Sequence, residues 1–415
     1  MSYISIAENI LRKAQYHDFT GRFPSTFASL PGYPFALALF SMPLASVFPL
    51  GVVAVSCAAL LVMFLATFLL LRSQLSRWQS LLGAVMVLTQ PGVMLLAGSA
   101  LSDLPFTALL LLYVMTLVRQ SRLRWQLAAA GAMCLTRYIG VGVLLATVAV
   151  LLLQRNRRSL LLLLAAIPPA VYLAFNRAAT RSVTPLTTVL ADTVAGIMNS
   201  CGGPTMAAII VVAIVALLVN RNDRTLVAVA AAAAGYYVTL VLSATFTHVA
   251  DLHSRMALPG ATLLLLGGYA FFTVRKTHVV SAVLAIAIVV SGGLYYAARM
   301  SGRVTADLGL NDERWHNSPA IALAQTYPDD KVFSSSPAAI WFVSGKRTRR
   351  IPYTNESLAP FVQAAREDSA LVIYFAEYAS NKRYVTPDNY VDDIPVRRTL
   401  VVGNDFCLVL GDGAQ

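Results

Sequence analysis

Charge is what this chain of 415 residues is short of. Lys, Arg, Asp and Glu make up 13% of it and 57% is hydrophobic, whereas a typical soluble domain carries about 25% charged residues. With a mean hydropathy of +0.65, that deficit excludes an ordinary soluble protein and leaves a polytopic membrane protein. Cysteine is scarce too, and four residues make no disulfide framework. Cys57 and Cys134 lie in apolar runs, as small buried hydrophobes, and nothing in the sequence pairs Cys201 with Cys407. Acidic residues are outnumbered, 20 against 32 basic, for a net charge of +12. Such a balance suits nucleic acid when arginines form one face. Here they fall in short clusters between apolar runs, so nucleic acid is excluded as a partner. Also missing are a P-loop, a dinucleotide fingerprint, a Gly-x-Ser-x-Gly elbow and zinc-type Cys/His spacing. The first 30 residues hold no apolar core of signal-peptide length, and no internal repeat of the transporter kind is seen.

What is present is a succession of apolar runs punctuated by arginine. Arg72/Arg77, Arg119/Arg122/Arg124, Arg155/Arg157/Arg158, Arg221/Arg224 and Arg275/Lys276 fall at alternate ends of the runs. The positive-inside rule makes these five clusters cytoplasmic. About 20 apolar residues cross a bilayer, and the clusters predict ten spans, near 50–71, 79–98, 104–118, 125–140, 141–153, 159–176, 205–219, 225–246, 257–274 and 279–297. The stretch 35–48 reads as a short interfacial helix, because an extra span there would turn Arg72 and Arg77 outward. The predicted fold class is therefore a polytopic α-helical membrane protein of about ten transmembrane helices with a small C-terminal α/β extracytoplasmic domain. Its parts are a juxtamembrane segment (1–34), a transmembrane helical domain (35–297) and the α/β domain (298–415). In the last, short β-rich runs (Lys331–Ser335, Leu371–Phe375, Leu400–Val402, Phe406–Leu410) alternate with helical stretches (Pro319–Tyr327, Leu358–Glu367).

This topology collects the polar chemistry on the outer face, in the N-terminal segment, Ser99–Asp103, the Thr136-Arg-Tyr138 turn, Ala178–Pro204 and Thr247–Pro259. Asp103 stands between two apolar runs, with Leu-Pro behind it. A charge mid-membrane costs roughly 2.5–3.5 kcal/mol, so it reads as a helix cap at one mouth of the bilayer, or as an acidic site residue there. Arg137 interrupts nearly thirty apolar residues; it either snorkels or holds a phosphate with its planar guanidinium. Asp251-Leu-His-Ser-Arg255 is either an ordinary polar loop or a second phosphate site. His248, Asp251 and His253 are too few for a metal site on their own.

Several local patterns follow one another in order: Tyr3-Ile-Ser-Ile-Ala-Glu-Asn-Ile-Leu11, Leu30-Pro-Gly-Tyr-Pro-Phe-Ala-Leu-Ala38, Ser102-Asp-Leu-Pro-Phe-Thr-Ala-Leu-Leu110, Leu135-Thr-Arg-Tyr-Ile-Gly140, Arg255-Met-Ala-Leu-Pro259, and Val332 to Lys346. Together they resemble the C-type (GT-C) superfamily of membrane glycosyltransferases, which includes protein O-mannosyltransferases and the lipid A aminoarabinose transferase, the last pattern being similar to the strand and helix that open the outer domain of many bacterial members. The resemblance implies inverting transfer of a sugar from a polyprenyl-phosphate donor to a glycan, lipid or protein acceptor on the extracytoplasmic side. By that likeness Asp103 and Glu8 are the acidic catalytic candidates, with Asp18 a weaker one. Arg137, Tyr138, Arg255, Asp251 and His253 are the substrate-binding candidates. Asp103 would help hold a divalent cation (Mg or Mn) or the acceptor. The superfamily's usual acid closes a first span a few residues before the Tyr matched by Tyr3, yet only Met1 and Ser2 precede it here. Either the start is assigned too late, which predicts an apolar span ending in Asp or Glu upstream, or the protein lacks that base. The other readings are a flippase for a lipid-linked saccharide and a non-catalytic assembly partner.

Overall fold

The computed structural model describes 6, 7, 10, 30–42, 48–97, 102–175, 186–201, 223–246 and 254–274. Toward the C-terminus it describes most of 282–297, then 315, 317–328, 331–346, 348–352, 358, 361–363, 370–375, 387, 396–402 and 405–410. The chain divides into two compact units, one around Ser25–Met300 and one around Ser301–Gln415.

The first unit is helical: α1 (Gly32–Ser41), α2 (Phe48–Leu71), α3 (Arg77–Leu88), α4 (Pro91–Leu96), α5 (Asp103–Val118), α6 (Leu123–Thr136), α7 (Ile139–Leu153), a 3-10 stretch (Arg157–Ala166), α8 (Ile167–Phe175), α9 (Leu186–Cys201), α10 (Arg224–Phe246) and α11 (Ser254–Val274). Three of them, α2, α10 and α11, are long and apolar enough to cross a membrane. At 24 residues α2 is about 36 Å long. It turns Val53, Leu61 and Leu65 outward, which in a lipid-embedded helix needs no polar face. Helix α5 is apolar nearly all round and correspondingly buried, from Leu104 and Phe106 through Tyr113 to Leu117. It packs against α2, α6, α10 and α11, and so forms the axis of the unit.

With no water in hydrocarbon, polar groups must be satisfied internally. Threonines therefore bond back one turn, as Thr107 Oγ1 does to Asp103 O at 2.7 Å and Thr273 Oγ1 to Tyr269 O at 2.7 Å. The Tyr113 and Thr147 hydroxyls meet at 2.8 Å between α5 and α7. Helices α7 and α10 come together at Gly142 and Gly235; a Cβ on Gly235 would lie 2.6 Å from Gly142 O.

The described members of the basic clusters mark one end of this unit. Arg119 donates to Leu69 O at 3.0 and 3.2 Å, joining the ends of α5 and α2. Gln74 Nε2 reaches Asp223 at 2.8 Å and Thr225 at 3.0 Å, at the start of α10. The Tyr269 hydroxyl, late in α11, donates to Gln79 O at 2.7 Å in the first turn of α3. Gln154, at the end of α7, lines a small cavity with Val118 and Val227. The termini of α2, α5, α7, α10 and α11 that adjoin the five clusters thus share one end.

Some expectations need correction. The span 79–98 is two helices, because Pro91 has no N–H and drives Gln90 into extended backbone (ψ 134). The span 159–176 opens with 3-10 geometry over Arg157–Ala166, and becomes α-helical only where Pro168 and Pro169 suit a first turn. Ala178–Pro204 is not simply a loop, since Leu186–Cys201 forms α9 and packs on α11. Its buried stripe includes Val189 and Thr193, too narrow to register as an apolar run. The span 205–219 lies outside the described residues.

The second unit is a five-stranded sheet, β1 (Val332–Ser334), β2 (Arg349–Arg350), β3 (Ala370–Tyr374), β4 (Val396–Val402) and β5 (Asp405–Leu410), in the order β2-β1-β3-β5-β4. β1 runs parallel to β2 and β3, while β5 is antiparallel to β3 and β4. Strand β3 is buried at every position, as a strand covered on both faces must be. On one side Leu371, Ile373 and Cys407 pack with Trp315 and residues of α12 (Pro319–Gln325) and α13 (Pro337–Ser344). On the other, Val372, Tyr374 and Leu408 pack with Phe333 and Phe361. Burial first, then Asp405, pushes the Cys407 thiol up to about 11. The edge strands carry Arg349-Arg350 and Arg397-Arg398, charges that discourage further strand pairing. The parallel β1–β2 step was not expected; two residues are too few to leave a pattern.

Candidate functional site

Two of the sequence candidates meet at the end of the helical unit opposite the basic clusters. Asp103 is the first residue of α5, with Ser102 before it; it is thus the opening residue of the helix rather than its cap. Its chain direction places the carboxylate where the helix dipole favours an anion. Arg137 follows the last residue of α6, its N–H still bonded to Met133 O at 3.2 Å. There the dipole favours a cation. The two side chains form an ion pair, Arg137 Nη1 to Asp103 Oδ1, with 14% and 5% of their side-chain surfaces exposed. Neither the rest of the guanidinium nor Asp103 Oδ2 has a further hydrogen-bond partner among the described residues.

The Thr-Arg-Tyr-x-Gly pattern has a geometric reason. Arg137 adopts extended backbone (φ −148, ψ 137), breaking α6 from α7. Gly140 N then bonds to Arg137 O at 3.0 Å, tightening the turn. A Cβ on Gly140 would lie 3.1 Å from Cys134 Cα and the Met133 carbonyl, so this return of α7 beside α6 favours glycine. The Pro-Gly-Tyr-Pro stretch arrives at the same place: a Cβ on Gly32 would stand 2.8 Å from the Leu135 carbonyl. Helix α1 thereby packs its first turn on the residues just before Arg137.

The start of α11 joins them through aromatic side chains that sequence reading missed. Phe106, one turn from Asp103, lies 6.0 Å from the Tyr236 ring. The Tyr236 hydroxyl donates to Met256 O, and that of Tyr237 to Ala257 O at 3.2 Å. Tyr236 is also within electrostatic reach of Arg137 and Tyr138. Met256 follows Arg255 in the first turn of α11, so the backbone of Arg255 is at this end, its side chain lying outside the described residues. Tyr138 is half-buried against the helical core. Glu8, Asp251 and His253 lie outside the described residues. Among the described residues no three metal-ligating side chains cluster.

Gln90 is the other residue that sequence reading passed over. It is fully buried at the α3–α4 break, where its Oε1 accepts from Thr262 Oγ1 at 2.8 Å. A Gln-Pro step within an apolar run was the signal available for it. For Tyr236 the signal was a Gly-Tyr-Tyr step at the end of an alanine run.

A helical membrane unit whose mouth joins an acidic and a basic side chain, followed in the chain by a small mixed sheet, is a fold shared with known solved structures. The particular solved structures it matches are those of ArnT from Cupriavidus metallidurans. In the apo state that protein superposes with a TM-score of 0.65 at 12% identity, over 99% of this chain and 92% of that one. Bound to undecaprenyl phosphate it superposes with a TM-score of 0.65 at 11% identity, over 98% of this chain and 92% of that one. No family model and no curated protein sequence matches. The likeness is therefore one of fold.

Proposed function

We propose that this chain is a glycosyltransferase that moves a sugar from a polyprenyl-phosphate-linked donor to a glycan, lipid or protein acceptor, with inversion, on the extracytoplasmic face. The observation that carries the reading is the buried Asp103–Arg137 pair at the mouth of the unit. It agrees with a neighbouring fold solved with undecaprenyl phosphate. The basic clusters at the opposite end orient the mouth outward by the positive-inside rule.

In this reading one N–H of Arg137 is committed to Asp103 and its remaining donors face the donor phosphate. A guanidinium with donors to spare suits phosphate well. As the bond between sugar and phosphate breaks, charge gathers on the leaving phosphate. A fixed cation in a site shielded from water stabilises that charge where it develops. Asp103 holds Arg137 with Oδ1 and offers Oδ2 to an acceptor hydroxyl or to a divalent cation such as Mg or Mn. Inversion follows if the acceptor attacks from the face opposite the phosphate. Arg255, in the first turn of α11, is the second phosphate-binding candidate; Glu8, Asp251 and His253 remain the further candidates.

The test is release of polyprenyl phosphate from a radiolabelled lipid-linked donor by membranes carrying the protein. Wild type should release it together with sugar transfer, and Asp103→Asn and Arg137→Ala should not, at normal protein level. Movement of intact donor across the bilayer without release would instead support the flippase. Neither release nor movement would leave the assembly partner.

A further inference from the structure

The tyrosine pair of α10, Tyr236 buried and Tyr237 half-buried, has been given no role in the site so far. We propose that Tyr236, seconded by Tyr237, is a positioning residue that clamps the first turn of α11 against α5, so setting Arg255 relative to the Asp103–Arg137 pair. This inference rests on the phosphate-binding reading of the site.

The residues supply the reason. Pro259 lies within α11 and has no N–H, so the carbonyl of Arg255, four residues earlier, lacks its helical donor. A first turn weakened in this way is free to fray. The next two carbonyls, of Met256 and Ala257, each take a hydroxyl from α10, Tyr236 and Tyr237 respectively. The two rings meet edge-on with centroids 5.5 Å apart. Gly260 makes the approach feasible, since a Cβ there would lie 2.6 Å from Tyr237 ring carbons and 2.9 Å from Tyr236 Cδ1. On its other side the Tyr236 ring meets Phe106 of α5. Phe106 lies in the same turn as Thr107, whose hydroxyl bonds the carbonyl of Asp103. One fully buried side chain thus touches the helix that carries Asp103 and the turn that carries Arg255.

A purely structural tyrosine would weaken stability without any selective effect on phosphate binding. The experiment uses the full chain in nanodiscs titrated with undecaprenyl phosphate, alongside thermal unfolding. Tyr236→Phe keeps the ring and loses only the hydroxyl; it should weaken binding by about tenfold, as loss of one buried hydrogen bond permits. Gly260→Ala leaves both hydroxyls in place but wedges the helices apart, and should weaken binding as well. Tyr113→Phe is the matched control: it removes a buried hydroxyl bond between α5 and α7, and should change unfolding by a similar amount with binding unaltered. The decisive arm is a double-mutant cycle. If Tyr236 acts through Arg255, Tyr236→Phe should have little further effect in an Arg255→Ala background. Wild-type binding with Tyr236→Phe indistinguishable from it, or full additivity with Arg255→Ala, overturns the clamp alone. Failure of the wild type to bind overturns the phosphate reading together with it.

Discussion

The two ends of the helical unit use arginine in opposite ways. At the end of the five basic clusters, Arg119 is exposed and donates to a main-chain carbonyl, that of Leu69. At the other end Arg137 is largely buried and spends one N–H on a carboxylate that is itself buried. An exposed arginine capping a carbonyl is fully explained by anchoring and topology. A buried ion pair is not, because desolvating both charges offsets much of their attraction, and well-packed apolar residues often serve stability as well. Stability alone therefore does not account for the pair at the second end. That contrast is the physical basis for proposing the site there.

The contrast can be broken most severely at Arg137. Arg137→Ala strands the buried Asp103 carboxylate and should destabilise the unit by about 3–5 kcal/mol. It should also lower transfer by about 100- to 1000-fold in whatever protein remains folded. Arg119→Ala, the same change at the other end, should shift unfolding by about 1 kcal/mol or less and leave transfer intact. Thermal unfolding in nanodiscs and donor turnover measure both. Next in size is the separation of stability from function. The double variant Asp103→Leu/Arg137→Met should recover most of the stability lost in Arg137→Ala, and none of the activity. Recovery of activity would make the pair structural.

Smaller effects are expected where the backbone closes around the pair. Gly32→Ala and Gly140→Ala each push a methyl against main-chain atoms of α6, and should cost about 1–3 kcal/mol. The smallest effect is away from the helical unit altogether. The Cys407 thiol, held neutral by burial, should resist alkylation in the native full chain at pH 8, as read by mass spectrometry. Because its value is raised from 9.0 to about 11, the stability it contributes is intact below pH 9. That contribution is lost as pH rises from 9 toward 11.

How much of this was legible in the sequence depends on the kind of signal. Helices α2, α5, α7, α10 and α11 were visible because each is a long apolar run bounded by charge. The shared end of Asp103 and Arg137 followed from counting spans between basic clusters, and the structure brings the two into contact. Other features left weaker traces. Tyr236 and Phe106 read as core residues, since an aromatic in an apolar helix has the same appearance whether it pads or positions. Gly32 and Gly140 were noticed as motif letters, while their reason, a close backbone approach, exists only once α1, α6 and α7 are packed. Helix α9 hid behind its threonines and aspartate. The break at Gln90 was written in the sequence as Gln-Pro but was overruled by the hydropathy around it.

The central claim is that the free face of Arg137 holds the phosphate of a polyprenyl lipid while Asp103 holds Arg137. Its most direct measurement is the affinity of purified full-length protein for undecaprenyl phosphate, compared between wild type and Arg137→Lys. Lysine keeps the charge but cannot pair with Asp103 and fork onto a phosphate in the same fixed plane. The account predicts binding by wild type and a loss of at least about tenfold in Arg137→Lys. Equal affinity in the two proteins would contradict it.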